Sequence, residues 1–229
     1  MSRRWKPAVS GYHSGADAPL RAIDSAVQRA VGARAVVLVE GISDQIAIEA
    51  AALRLGRDLT AEGVVVLPAG GVGSIGAMAE RFGPMGAGLA LAGLCDAAEV
   101  AWVCKSLVRA RVGIADGPAG LASLGFYVCD RDLEDELIRA VGVAGVGALL
   151  QAEGDLDAFR TLQRQRAWQD APLHDQMRRF LAAGARRKLR YAGLFVQAVA
   201  LDRMPVPLLR VLQRVVPPSA GLRPDPLVV

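Results

Sequence analysis

The sequence predicts an α/β fold: a Rossmann-like parallel sheet of about four strands flanked by helices, followed by a helical C-terminal extension. Up to about residue 150, short apolar runs alternate with segments whose apolar residues recur every three or four positions. This alternation is typical of parallel strands joined by helices. The chain is 52% hydrophobic but only 5% aromatic, and small aliphatic side chains suit strands that are buried on both faces.

The chain is predicted to contain three units. These are an N-terminal arm and helix (1–33), the sheet domain (34–150) and an Arg-rich helical extension (151–229). Residues 1–18 lack apolar periodicity, whereas residues 19–31 have the spacing of an amphipathic helix. Beyond residue 152 no run is typical of a strand.

Four runs are predicted to be strands: 35–39, 64–67, 88–95 and 125–129. The first is the clearest, because it is a continuous run of small and branched aliphatic residues closed by Glu40 and Gly41. Helices are expected at 44–55, 74–82 and 97–109 and from about residue 133, with Ser43 capping the first of them. Strands and helices in this order predict a parallel sheet with right-handed crossovers.

Acidic residues follow three of the four predicted strands. The candidates are Glu40, Asp44, Asp96, Glu99, Asp132 and Glu134. Because open parallel sheets bind ligands outside the carboxyl ends of their strands, these side chains are expected to meet. Their mutual repulsion is offset most naturally by Mg²⁺ or Mn²⁺, which suits phosphoryl transfer with a carboxylate as general base. Alternatively, the acids cap the following helices, a role that fits Asp44 and Asp132.

Basic residues are concentrated late in the chain, although the net charge is only +4. Residues 160–190 contain nine arginines and lysines but two acids. A polyanion such as DNA would favour this face, and the predicted contacts are Arg178, Arg179, Arg186, Arg187, Lys188 and Arg190. The alternative is an ordinary solvated helix surface.

Four strings resemble the Toprim domain of OLD-type (overcoming lysogenization defect) nucleases. They are Val37-Leu-Val-Glu40-Gly41-Ile-Ser-Asp44, Pro68-Ala-Gly70-Gly71, Leu94-Cys-Asp96 and Asp132-Leu-Glu134-Asp135. The resemblance covers roughly residues 34–142. It implies metal-dependent cleavage or transfer of nucleic-acid phosphodiesters, with Glu40 as general base or metal ligand and the other acids completing the site.

Two departures from the family pattern bear on activity. The usual second Asp is replaced by Ala98, so that Glu99 is the nearest acid and either substitutes as a ligand or leaves one metal site incomplete. OLD nucleases also carry an ATPase domain, but this sequence has no Gly-x-x-x-x-Gly-Lys-Ser/Thr motif. Any ATPase is therefore expected to come from a partner or to be absent.

Two other functions remain open. Gly71-Val-Gly73-Ser-Ile-Gly76 matches a dinucleotide-binding fingerprint, with Asp96 twenty residues further on. A Toprim scaffold that binds nucleic acid without cutting it is the other alternative, motivated by Ala98.

Composition excludes several classes of protein. No apolar run approaches the roughly 20 residues of a membrane span, and no secretory signal is recognised. The three cysteines form no C-x-x-C pair, so neither a disulfide framework nor a zinc site is indicated. We expect a cytoplasmic protein that is either monomeric or a homo-oligomer.

Overall fold

The computed structural model describes residues 18–216, and the predicted arm, apart from its last residue, lies outside them. Four parallel strands form one sheet in the order β2-β1-β3-β4. The strands are β1 (Ala35–Val39), β2 (Val64–Pro68), β3 (Ala90–Asp96) and β4 (Phe126–Cys129). The predicted α/β class, parallel sheet and helical C-terminal region are confirmed.

Ten α-helices lie within residues 18–216. They are α1 (Ala18–Ala30), α2 (Ile42–Arg54), α3 (Ile75–Phe82), α4 (Val100–Arg109), α5 (Gly117–Ser123), α6 (Leu133–Ala152), α7 (Leu156–Gln163), α8 (Leu173–Ala182), α9 (Ala185–Ala198) and α10 (Val206–Arg214). Helices α2, α6, α9 and α10 contribute to the core on one face of the sheet, and α1, α3, α4 and α5 to the core on the other. None of the helices in this part of the chain has the length and apolar character needed to cross a bilayer.

The sheet has a topological switch point between β1 and β3, because β2 is added on one side of β1 and β3 on the other. The chain leaves β1 through α2 to reach β2 on one side, then returns through α3 to β3 on the other side. In open parallel sheets such a reversal creates a crevice at the carboxyl ends of the two strands. Glu40 follows β1 and Asp96 ends β3, so the topology places both residues at this crevice.

Gly93 allows the centre of the sheet to pack closely. A Cβ atom at this position would lie 2.5 Å from the Phe126 ring and 2.7 Å from the carbonyl oxygen of Leu38. No real side chain tolerates both contacts. The absence of a side chain at Gly93 therefore lets β1, β3 and β4 pack closely beneath the crevice.

The C-terminal helices are packed into the sheet domain. One buried hydrophobic cluster contains residues of β1 and α2 together with Tyr191, Phe195 and Leu208. Arg34 donates a hydrogen bond to the carbonyl oxygen of Val215 at 2.7 Å. The predicted unit boundary at residue 150 lies near the end of α6, and residues of 34–150 share this core with residues of 151–216.

Two local features differ from the sequence predictions. Ser43 does not cap α2, because this helix begins at Ile42 and Gly41 occupies the N-cap position. Helix α5 was not predicted, since its sequence GPAGLAS contains only one large apolar residue and gives little periodicity.

Candidate metal centre

The backbone of Glu40 is held by the glycine-rich turn that follows β2. The amides of Gly70 and Gly71 each donate to the carbonyl oxygen of Glu40 at 3.1 Å. Their φ angles, +80° and +119°, lie in the region that glycine adopts without strain. This turn therefore fixes the chain at the point where the Glu40 side chain enters the crevice.

Glu40, Asp96 and Glu99 come together in the crevice. Asp96 ends β3, and one 3₁₀ turn at Ala97–Glu99 follows it. One carboxylate oxygen from each of the three residues lies within 4.8 Å of the other two. Ala98 is exposed to solvent, so Glu99 and not residue 98 supplies the second acid of this strand end.

The three carboxylates have the electrostatics of a cation site. Burial raises the pKa of Asp96 to about 8, and the negative charges of Asp44, Asp132, Glu99 and Glu40 add to this effect. Burial and the neighbouring Glu40 also raise the pKa of Glu99. Among the described residues, Glu99 Oε2 is buried without a hydrogen-bond partner. A buried carboxylate oxygen that has no hydrogen-bond partner and lies among other carboxylates is suited to bind a hard divalent cation.

Asp44 lies beside this cluster but is also used as a helix cap. Its Oδ2 accepts a hydrogen bond of 2.9 Å from the Gly41 amide at the start of α2. Burial, followed by repulsion from Glu134, raises the pKa of Asp44 to about 7. Asp44 therefore performs the capping role foreseen for it while keeping its charge close to Glu40.

Asp132 and Glu134 are paired with cations from the C-terminal helices. Asp132 Oδ2 accepts from Arg178 Nε at 2.8 Å, and its Oδ1 caps α6 by accepting from the Asp135 amide at 2.8 Å. Burial opposes the ionised form, but these bonds lower the pKa of Asp132 overall. Lys188 Nζ lies 3.1 Å from Glu134 Oε1. These two acids are thus neutralised by side chains that stand about fifty residues away in the sequence.

The six predicted nucleic-acid contacts divide into three groups. Arg178 and Lys188 hold the acids just described. Arg190 pairs with Asp155 and Glu153, and Arg187 lies over the Phe180 ring at 3.8 Å while donating to the Phe180 carbonyl. Arg179 and Arg186 are exposed on the surface of α8 and α9. Much of the basic segment is therefore engaged in intramolecular contacts.

A family model described as the overcoming lysogenization defect protein-like TOPRIM domain matches residues 33–96. The C-terminal region of the Xanthomonas campestris pv. campestris OLD protein superimposes with a TM-score of 0.64. It is 21% identical, and the match covers 82% of this chain and 94% of that one.

Residues 33–96 therefore match an OLD-type Toprim domain, and most of the chain has the fold of the OLD C-terminal region.

The C-terminal region of the Burkholderia pseudomallei OLD protein has the same fold, with a TM-score of 0.60, 22% identity, and coverage of 80% of this chain and 96% of that one. No curated protein matches the sequence of the chain. The family match ends at Asp96, so it includes Glu40, Asp44 and Asp96 but not the acids after β4. The structural likeness extends into the helical C-terminal region.

The Toprim topology does not favour the dinucleotide alternative. The glycine-rich turn follows the edge strand β2, whereas Asp96 ends β3, which lies on the far side of β1. The amides of Gly70 and Gly71 are bonded to Glu40 rather than directed at a ligand. Gly76 serves packing, since a Cβ there would lie 3.3 Å from the Ser106 side chain of α4.

Two side chains near this Toprim centre were not recognised from the sequence. His174 Nε2 lies 2.8 Å from Oδ1 of the buried Asp135, which also binds Arg139. Trp168 lines a cleft bordered by Asp132 and Glu134. Neither residue belongs to a motif, and Trp168 lies in an irregular segment between α7 and α8, so local patterning contained no signal for them.

Proposed function

We propose that this OLD-type Toprim domain is a metal-dependent DNA nuclease, with Glu40, Asp96 and Glu99 as its central acidic group. One observation carries the proposal: three carboxylates from two strand ends converge, and no ion pair among the described residues neutralises them. A protein gains nothing in stability from such a group by itself. The arrangement is explained by a cation and a phosphate that share the site.

The residues present fit Mg²⁺ or Mn²⁺. Glu40, Asp96 and Glu99 would hold the ion, and Asp44 lies close enough to raise the local negative charge. When bound, the ion would polarise the phosphate and lower the pKa of an attacking water. Glu99 would take the part of the second acid that Ala98 cannot supply.

The protein's own residues have distinct roles in the proposed reaction. Glu40, positioned by the Gly70-Gly71 turn, is the candidate general base that removes a proton from the attacking water. Lys188 lies at the same edge, where its charge interacts with Asp44 and Asp132 as well as with Glu134. Its charge therefore reduces the repulsion that these acids exert on an approaching phosphate. Arg179 and Arg186 are the exposed cations available to the DNA backbone.

A second candidate function is supported by a different observation. Because Arg178 and Lys188 already neutralise Asp132 and Glu134, the acids after β4 do not need a cation of their own. This pairing favours a site with one metal ion over a site with two. It is also consistent with a Toprim module that binds nucleic acid without cutting it. A separate ATPase partner, self-association and a cytoplasmic location stay predictions from the sequence.

Replacing Glu40 with Gln tests the nuclease. We expect Mg²⁺- or Mn²⁺-dependent cleavage of DNA to fall by at least about 100-fold, because the base is lost, while the thermal melt stays close to that of the parent. The matched control is Glu80→Gln, which changes an exposed glutamate on α3. Equal cleavage by the parent and Glu40→Gln would refute the assignment. Metal-independent DNA binding with no cleavage by the parent would favour the binding module.

A further inference from the structure

A cleft of about 500 Å³ adjoins the acids that follow β4. It lies where the start of α6 meets α8 and α9, and its lining includes Asp132, Glu134 and Lys188 together with Trp168 and Arg179. Its volume falls within the range of roughly 300–1,000 Å³ that is usual for small-molecule sites. The cleft therefore lies beside the candidate metal centre and has room for part of a bound ligand.

Trp168 is presented to the cleft by a segment with fixed geometry. The buried side-chain amide of Gln176 donates to the carbonyl oxygens of Trp168 at 2.9 Å and Ala171 at 2.8 Å. Its oxygen accepts a bond of 2.7 Å from Gln163. A buried amide with these partners pins the loop between α7 and α8. The indole is thus held in place before any ligand binds.

The surroundings of Trp168 combine an aromatic surface with positive charge. The guanidinium of Arg179 lies over the indole ring, 5.9 Å from its centre, and Arg178 and Lys188, which are paired with Asp132 and Glu134, line the same cleft. Part of the indole packs against the core, and the rest remains accessible. An aromatic face bordered by cations suits a nucleobase and its phosphate, because bases stack on aromatic rings while cations bind the backbone.

We propose that the cleft receives one unpaired nucleotide of the DNA, with its base stacked on Trp168 and its phosphate near Arg179. The identification of the ligand as nucleic acid rests on the proposed function. A base inside a duplex must first be unstacked and unpaired, whereas a base in a single strand, flap or frayed end is available at less cost. The cleft thus gives the enzyme a preference for DNA with unpaired nucleotides beside the site of cleavage.

The test measures binding with Ca²⁺ in place of Mg²⁺, so that affinity is measured separately from cleavage. The parent, Trp168→Ala and Trp168→Phe are titrated with a single-stranded oligonucleotide and with an oligomer of equal length that lacks all bases. We expect Trp168→Ala to weaken binding of the intact strand about 10-fold and Trp168→Phe to retain most of the affinity, since a phenyl ring still stacks. Binding of the baseless oligomer should be equal in all three proteins.

The control is Leu201→Ala, which removes an exposed apolar side chain outside the lining of the cleft and should leave both affinities unchanged. An equal loss on both oligomers would show that Trp168 acts only by supporting the loop, and no loss on either would show that no base stacks there. Both results overturn the proposal. If the Trp168 variants bind like the parent but cleavage depends on Glu40, the nuclease proposal is retained and the cleft proposal is rejected. If binding depends on the bases but no cleavage is found, the cleft proposal is retained and the nuclease proposal is rejected.

Discussion

Glu40, Asp96 and Glu99 converge at the ends of β1 and β3 without a paired cation among the described residues, whereas Asp132 and Glu134, after β4, are each held by a cation from the C-terminal helices. In sequence the two groups give the same signal, acids at or within a few residues of the end of a strand. They differ in what lies opposite them. The first group has the arrangement of residues that could hold a metal ion, and the second is already paired with cations of the protein.

The largest effect on stability should follow removal of a satisfied acid. Asp132→Ala deletes both the α6 cap and the partner of Arg178, and we expect the free energy of unfolding to fall by about 2 kcal/mol. Chemical denaturation of the metal-free protein measures this change. Asp130→Ala is the matched control, since the Asp130 side chain is 74% exposed and its change should stay within about 0.5 kcal/mol. Equal effects of the two substitutions would contradict the contrast between the groups.

Neutralising an acid of the first group should have the opposite sign. In the absence of metal, Asp96→Asn removes repulsion from a cluster without a cation, so we expect it to stabilise the protein at pH 8 by about 1 kcal/mol, a figure reduced for partial exposure. When Mg²⁺ is added, the parent should gain stability and the variant should gain less. A variant less stable than the parent in EDTA would indicate that Asp96 already has an adequate partner.

The pH dependence of the metal-free parent sharpens the same contrast. Asp96 has a pKa of about 8 in the folded protein against 3.8 as the ordinary value, so the folded state binds its proton more tightly. Its contribution is fully present below pH 3.8 and is lost as the pH rises through 8. We expect the melting temperature in EDTA to be a few degrees lower at pH 9 than at pH 6. This difference in melting temperature between pH 6 and pH 9 should be smaller in Asp96→Asn. An equal difference in the variant would show that other titrating groups cause it.

The smallest effect concerns the basic segment. Arg186 is exposed on α9, so Arg186→Ala should leave stability unchanged and reduce the slope of log affinity against log salt by about 1 if it contacts a phosphate. Arg187→Ala is the comparison, because it removes packing on Phe180 and should lower stability. An unaltered salt slope in Arg186→Ala would remove this residue from the proposed DNA contacts.

The sheet and the central acids could be predicted because their signals are local. The run Ala35–Val39 is buried at every position, and Glu40 directly follows it, so periodicity and topology suffice to place both. The roles of Arg178 and Lys188 could not be predicted in this way. The basic composition of their segment indicated binding to a polyanion. Their actual partners, Asp132 and Glu134, are determined by how α8 and α9 pack against α6. The Trp168 cleft depends on the same packing and was missed for the same reason.

Helix α10 packs against β3 and β4, and Arg34, directly before β1, binds the carbonyl oxygen of Val215. The strands that carry Glu40 and Asp96 thus acquire their last contacts from a segment more than a hundred residues later in the chain. During synthesis on a ribosome, these contacts cannot form until residue 215 has left the exit tunnel. A nascent chain therefore lacks the finished crevice until α10 has packed against β3 and β4.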